Sequence, residues 1–457
     1  MNYKFLENEE IDNHLKNLLK LTEEMNIIPT ELYNKYNVKR GLRNSDGTGV
    51  LVGLTSIGEV HGYSIEDSDK IPAEGKLLYR GLELKELASA CLQEDRHGFE
   101  EICFLILFGV LPNPKQLKEF KSLLVELRTL PDNFVEDMIL KAPSPNIMNK
   151  LARSVLALYS YDSDPDNTTI KNTLIQSVGL IAKFPVLIAN AYAVKRHSYD
   201  NDSLYIHIPN PELDIAENFL YMIRPNREFT KEEADILDLC LMIHAEHGGG
   251  NNSAFTTHVV SSTGTDTYSA ISAAIGSLKG PKHGGASLSV AEMFDDIKKN
   301  VSDWKNESEV RNYLTKIVNK EAFDKTGLIY GMGHAIYTLS DPRAVMLKEK
   351  ARELAWLKGR EDEFALYELV EKLTPEVFSA NRNNGKVLCA NVDFYSGFVY
   401  SMLGIEKDLF IPLFAMSRIV GWCAHRMEEI VSGGRIMRPA YKSVTHRSVY
   451  TALDDRE

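Results

Sequence analysis

Five short runs in this 457-residue chain carry residue types that could do carbonyl chemistry. The first is Gly280-Pro281-Lys282-His283-Gly284-Gly285. Thr267 to Leu278 predicts a helix of small residues, and Ala286 to about Asn300 predicts another, with apolar Leu288, Val290, Met293 and Ile297. His283 is therefore expected at or near the start of the second helix. The positive end of a helix disfavours an imidazolium. A neutral imidazole there can offer an N–H to an oxygen that is gaining negative charge. The plainer reading is a histidine that merely caps a helix.

Four other runs bear on that choice. In His244-Ala245-Glu246-His247-Gly248 two histidines lie near the end of a helix, and either a metal pair or one core and one capping histidine fits the spacing. In Gly331-Met332-Gly333-His334-Ala335 the glycines let backbone approach a ligand closely. Asp341 and Pro342 then read as an N-cap and first helical residue, which sets Arg343 against the helix dipole and asks for a bound anion or an ion pair. Asp393, in Asn391-Val392-Asp393-Phe394-Tyr395-Ser396-Gly397, precedes an apolar helix. As an N-cap its pKa would fall; buried, it would rise toward that of a useful base. Arg418 sits in Phe414 to Cys423, a run apolar nearly all round, where a charge needs an anionic partner. Arg435 and Arg438 follow. Histidines that donate hydrogen bonds, one carboxylate base and several arginines suit a di- or tricarboxylate whose carbonyl is polarised while a proton leaves a carbon acid.

The elements that must position these groups are mainly helical. An amphipathic helix is predicted over residues 8 to 25. Short strands are predicted between residues 47 and 82, at Val50-Leu51-Val52 and Lys76-Leu77-Leu78-Tyr79. From Leu84 to about Leu278 nearly everything reads as helix, broken at prolines. Thr230 and Glu233 have capping-box spacing. Gly284-Gly285 and Gly397 are candidate hinges. A net charge of −12 argues against nucleic-acid binding. The most apolar stretch, Val178 to Val194, is interrupted by Lys183 and Pro185, so no membrane span is expected. Five scattered cysteines without a CxxC pair read as reduced core residues of a cytoplasmic protein.

Taken together, His-Ala-Glu-His-Gly, Gly-Pro-Lys-His-Gly-Gly, Gly-Met-Gly-His-Ala, Asp-Pro-Arg and Asn-Val-Asp-Phe-Tyr-Ser-Gly resemble the citrate synthase family, in its order. Leu78-Tyr79-Arg80-Gly81, Phe99-Glu100-Glu101 and Ala216 to Leu220 look like further family features. The similarity covers about residue 50 to the C-terminus. It implies a mainly α fold, with a large helical domain (1–285 and 399–457), a smaller one (286–398) that closes over a cleft, and a few short strands near the N-terminus. By the resemblance, His283 would stabilise the enol of acetyl-CoA, Asp393 would remove its methyl proton, and His334 would polarise the ketone of oxaloacetate. His247, Arg343 and Arg418 would hold the oxaloacetate carboxylates, with Arg438 reaching across a homodimer. Gly331, Met332, Gly333, Ala335 and Lys386 would meet coenzyme A. No metal or cofactor is implied. 2-Methylcitrate synthase, which takes propionyl-CoA on the same constellation, is the nearest alternative. A metal hydrolase built on His244 and His247 and a catalytically silent metabolite-binding paralogue are alternatives of other classes.

Overall fold

A computed structural model of the chain describes residues 9–44, 47–66, 69–382 and 388–456. It divides into two compact units, Met1–Gly53 and Leu54–Glu457. In the first, α1 (Glu9–Met25) is the predicted amphipathic helix, and α2 (Thr30–Lys35) follows it. Val50 to Val52 form no strand. The only bridge in this unit among the described residues is isolated, Arg43 to Gly49, and Leu51 is largely exposed, so the run has neither a partner ladder nor a face to bury.

The second unit opens with an antiparallel sheet of β1 (Gly58–Glu66), β2 (Asp69–Tyr79) and β3 (Leu82–Glu83). The predicted strand at Lys76 to Tyr79 is the end of β2, with Leu77 and Tyr79 fully buried. Helices follow: α3 (Leu84–Gln93), α4 (Phe99–Phe108), α5 (Pro114–Leu127), α6 (Ile147–Leu158), α7 (Ile170–Tyr199), α8 (Ile215–Ile223) and α9 (Lys231–His244). Next come α10 (Asn252–Ser261), α11 (Thr267–Lys279), α12 (Ala286–Asn300), α13 (Glu307–Val318), α14 (Pro342–Leu357), α15 (Glu361–Arg382), α16 (Val392–Met402) and α17 (Phe410–Val431). The fold is mainly α, as the sequence predicts. The prolines from Pro112 to Pro145 and from Pro209 to Pro225 fall between helices or, for Pro114, at a first turn. Thr230 and Glu233 make the predicted reciprocal cap of α9. Helix α7 is long and apolar enough to cross a membrane, but 83% of its apolar window is buried inside the fold.

Helix α17 organises the rest. Every residue from Pro412 to Arg426 is buried, and the helix packs against α4, α6, α7, α9, α10, α11 and α12. That matches its apolar circumference. Burial of each large side chain, Trp422 among them, contributes about 1.5–3 kcal/mol. Its polar groups are mostly satisfied: Ser417 Oγ donates to the Leu241 carbonyl, and Arg426 donates to Thr267 Oγ1, Ser261 Oγ and the Thr265 carbonyl. Helices α12 and α14 both pack on α16, and α13 packs on α15. Gly397, a candidate hinge, lies in mid-α16 against the Ser287 carbonyl of α12, and α16 continues past residue 398.

At Gly421 the backbone of α17 meets the chain just past α9. A Cβ there would stand 2.8 Å from the Ala245 carbonyl and still closer to a Glu246 carboxylate oxygen. Gly421→Ala should therefore destabilise the fold by about 1–3 kcal/mol through overpacking. Urea unfolding measures this; wild-type stability would mean that the helix has room to shift.

Candidate active site

The segment after α9 places the first group. The chain leaves the helix at Ala245 and turns at Gly248, whose φ is 79°. His244, inside the helix, donates from Nδ1 to the Cys240 carbonyl at 2.7 Å. Burial holds its pKa down to about 3. One nitrogen of the proposed metal pair is thereby used, and among the described residues no third ligand gathers at His244 and His247. His247 is buried, and its Nε2 has no hydrogen-bond partner among the described residues. Burial, reinforced by Arg343 and His334, keeps this ring neutral. Its plane stands edge-on to His334 and Tyr337.

The loop from Ile329 to His334 is pinned to the segment before α16. Met332 bridges Ala390, Gly333 N–H donates to the Cys389 carbonyl at 2.7 Å, and Asn391 donates to the carbonyls of Gly331 and Gly333. Gly331 takes φ 78°, and a Cβ there would come within 2.9 Å of Phe394. The close approach inferred from this glycine is thus to α16. Met332 is half-buried and Ala335 exposed, which leaves the loop an outer edge. Nδ1 of His334 accepts from the backbone N–H groups of Ile336 and Tyr337, each at 3.1 Å. A neutral ring with Nδ1 as acceptor carries its proton on Nε2, so His334 is set as a donor.

Asp393 lies in the first turn of α16; the N-cap is Asn391, which accepts from Asp393 N–H at 3.0 Å. Of the two opposing effects read from sequence, burial wins. It raises the Asp393 pKa to about 6, against the pull of Arg343. Asp341 caps α14, and Pro342 is its first residue, as predicted. Asp341 also grips Arg343 with two oxygens, at 3.0 Å to Nε and 2.7 Å to Nη2, and accepts from Val392 N–H at 3.2 Å. Of the two readings of Arg343, the ion pair is the one seen. Burial would lower the Arg343 pKa, but the Asp341 carboxylate more than offsets it.

Arg418 is the unusual member. It is buried, and Nε donates to the His244 carbonyl at 2.7 Å, yet Nη1 and Nη2 have no partner among the described residues. Burial lowers its pKa to about 10, with Glu246 opposing. The anionic partner that sequence demanded is only the field of Glu246 and, more weakly, of Asp393; Oε1 of Glu246 is itself committed to His425 at 3.0 Å and Gly248 N–H at 2.5 Å.

His283 precedes α12 by three residues and so lies just outside the helix. Burial first, then Arg418, lowers its pKa to about 4, so desolvation rather than the helix end keeps it neutral. Nε2 lies 3.1 Å from Ser253 Oγ, to which Trp422 Nε1 donates at 3.0 Å. Ser253 and Trp422 were missed in sequence; the Asn251-Asn252-Ser253 start of α10 was the available signal. The mutual electrostatic influence of His247, His283, Arg343, Asp393 and Arg418 marks them as one cluster. Arg438 is exposed on the extended C-terminal segment, outside that cluster. Lys386 lies outside the described residues.

Neutral imidazoles, a carboxylate of raised pKa and an unpaired buried guanidinium define a site for condensing chemistry on an anionic carbonyl compound. Residues 45–440 match the family model described as citrate synthase, C-terminal domain. The chain is 35% identical over 387 residues to a citrate synthase of Deinococcus radiodurans, covering 84% of this chain and 94% of that one. It is 32% identical over 423 residues to 2-methylcitrate synthase 1 of Corynebacterium glutamicum, covering 90% and 97%. The solved citrate synthase of Pyrobaculum aerophilum superposes with a TM-score of 0.72 at 31% identity, over 89% of this chain and 94% of that one. The chain belongs to the citrate synthase family, a family of condensing acyltransferases.

An unpaired buried charge should weaken the fold that houses it. Replacing buried charges by apolar groups often gains about 1–4 kcal/mol, while losing the bond to His244 costs about 1 kcal/mol. Arg418→Met should leave the ligand-free protein at least as stable as wild type in thermal unfolding. A marked loss would show Arg418 to be structural.

Proposed function

We propose that this protein joins the methyl carbon of acetyl-CoA to the ketone carbon of oxaloacetate and hydrolyses the resulting citryl thioester to citrate and coenzyme A. The observation that carries the reading is Arg418, whose two Nη groups are buried without partners beside the unpartnered Nε2 of His247. These donors suit a carboxylate, which accepts the planar guanidinium fork in a bidentate pair. Arg343, already braced by Asp341, supplies the second positive centre.

The reaction then follows from the protonation states. Asp393, with a pKa of about 6, is ionised at neutral pH yet basic enough to take a proton from the methyl carbon of the thioester. Negative charge passes to the thioester oxygen, where neutral His283 donates a hydrogen bond. The enol carbon attacks the ketone carbon of oxaloacetate. His334 Nε2–H, fixed as a donor, polarises the ketone oxygen and transfers its proton to the new alkoxide. Water finally cleaves the thioester, releasing citrate and the thiol.

The loop edge at Met332 and Ala335 serves the coenzyme, with Gly331 and Gly333 shaping it. Residues 286–398, from α12 into α16, form the part that closes over the cleft and excludes water. The working form is a homodimer in the cytoplasm, each Arg438 reaching the other subunit's site. No metal or cofactor takes part in the chemistry. The likeness to a 2-methylcitrate synthase keeps propionyl-CoA as the second reading, because one methylene supplies only about 1–3 kcal/mol of discrimination.

Thiol release with oxaloacetate and acetyl-CoA, beside propionyl-CoA, tests the proposal. Faster oxaloacetate-dependent release from acetyl-CoA is expected; a preference for propionyl-CoA would move the assignment to 2-methylcitrate, and no release with either would refute it. Asp393→Asn should keep oxaloacetate affinity and lose about 10²–10⁴-fold in turnover. For the wild type, kcat/KM should fall about tenfold per unit as pH drops below an Asp393 pKa of about 6, because protonation removes the base. A flat profile from pH 5 to 8 would exclude Asp393 from that role.

A further inference from the structure

Beside the cluster, but outside it, lies a second group of chemically potent side chains. His258 on α10 and His425 on α17 face each other, Nε2 of the first 3.0 Å from Nδ1 of the second. Glu428, one turn along α17, places Oε2 at 3.7 Å from that same Nδ1. The three ligand atoms lie within 4.8 Å of one another.

Each histidine is also held from behind. Nε2 of His425 meets Glu246 Oε1 at 3.0 Å, and Nδ1 of His258 meets Glu429 Oε2 at 2.9 Å. A carboxylate on the far nitrogen is how metal-binding imidazoles are oriented and made more basic. Oε1 of Glu428 accepts from the N–H and hydroxyl of Ser56, at 2.7 and 2.9 Å. Its Oε2 is buried with no hydrogen-bond partner among the described residues, so one oxygen is anchored and the other faces the histidines. Gly249 keeps space beside the rings: a Cβ there would lie 3.4 Å from His425 Cε1 and 3.6 Å from His258 Nε2.

We propose that His258, His425 and Glu428 bind one divalent transition-metal ion of the zinc class, which braces α10 against α17. Tetrahedral zinc with nitrogen ligands at about 2.05 Å sets ligand atoms roughly 3.3 Å apart. The separations of 3.0 and 3.7 Å bracket that value. Two imidazoles and a carboxylate are borderline donors that suit zinc and its first-row neighbours. Three buried or half-buried carboxylates (Glu246, Glu428 and Glu429) supply the negative charge that such an ion would balance. The ion sits apart from the reacting groups and takes no part in the condensation. Its nearest link to them is Glu246, which pairs with His425 and acts electrostatically on Arg418.

Tag-free full-length protein, purified without chelator, tests this by elemental analysis and by zinc uptake against a chromogenic competitor. One equivalent per chain is expected, and the cobalt-substituted protein should show the intense visible absorption of a low-symmetry site. Glu428→Gln and His258→Gln should each weaken zinc binding by about 100-fold or more, and Glu429→Gln, which only orients His258, by about 10–100-fold. Should His258→Gln fail to fold, the two glutamate variants decide. No zinc retained or taken up by the wild type, or uptake unchanged in Glu428→Gln, would overturn the proposal.

Discussion

The buried guanidinium of Arg418 is the constraint on which the rest of the site depends. Folding places a cation on a helix enclosed by seven others and gives it a single carbonyl as direct partner. Such a group is tolerated only because the surrounding core is large, and it exerts its field on everything near it. That field reaches His283, His247 and Asp393. Burial keeps these imidazoles neutral and the positive potential reinforces it, while the same potential limits the rise in the Asp393 pKa to about 6, so that the carboxylate is still ionised at neutral pH. Those are the protonation states that a carbon-acid reaction requires.

Burial, with that field behind it, explains why the site needs no charged histidine. A neutral imidazole is a weaker acid than an imidazolium, so its hydrogen bond to a developing oxyanion is closer to matched in proton affinity. Backbone donors enforce this at His334, where two amides occupy Nδ1. At His244, by contrast, neutrality serves packing: its Nδ1 ends on the helix carbonyl four residues back. His334 and His244 thus have unrelated tasks, decided by whether Nδ1 accepts from backbone amides or donates to a backbone carbonyl.

Much of this was legible in the sequence. The apolar run around Arg418 gave a buried helix, Thr230 and Glu233 gave a cap, and the order of the five runs gave the family. What sequence could not give was competition between terms of similar size. Asp393 stood between capping and burial until Asn391 took the cap. Arg343 stood between ligand and ion pair until Asp341 was seen to chelate it. Val50 to Val52 had strand composition without a strand to pair with. Ser253, Trp422, His258 and His425 belong to partnerships that span more than 160 residues, and no local pattern announces such pairs.

Asp341 has a mechanical consequence. One carboxylate holds the Arg343 side chain and the first amide of α16, while the strand-like clamp at Gly333 and Cys389 ties His334 to the same helix start. His334, Arg343 and Asp393 therefore hang from a common bracket. Thermal breathing of α14 against α16 must first stretch those short bonds before it alters the spacing of the three groups. The bracket acts as a vibration mount: it lets the flanking helices move as bodies while the spacing of His334, Arg343 and Asp393 travels with them.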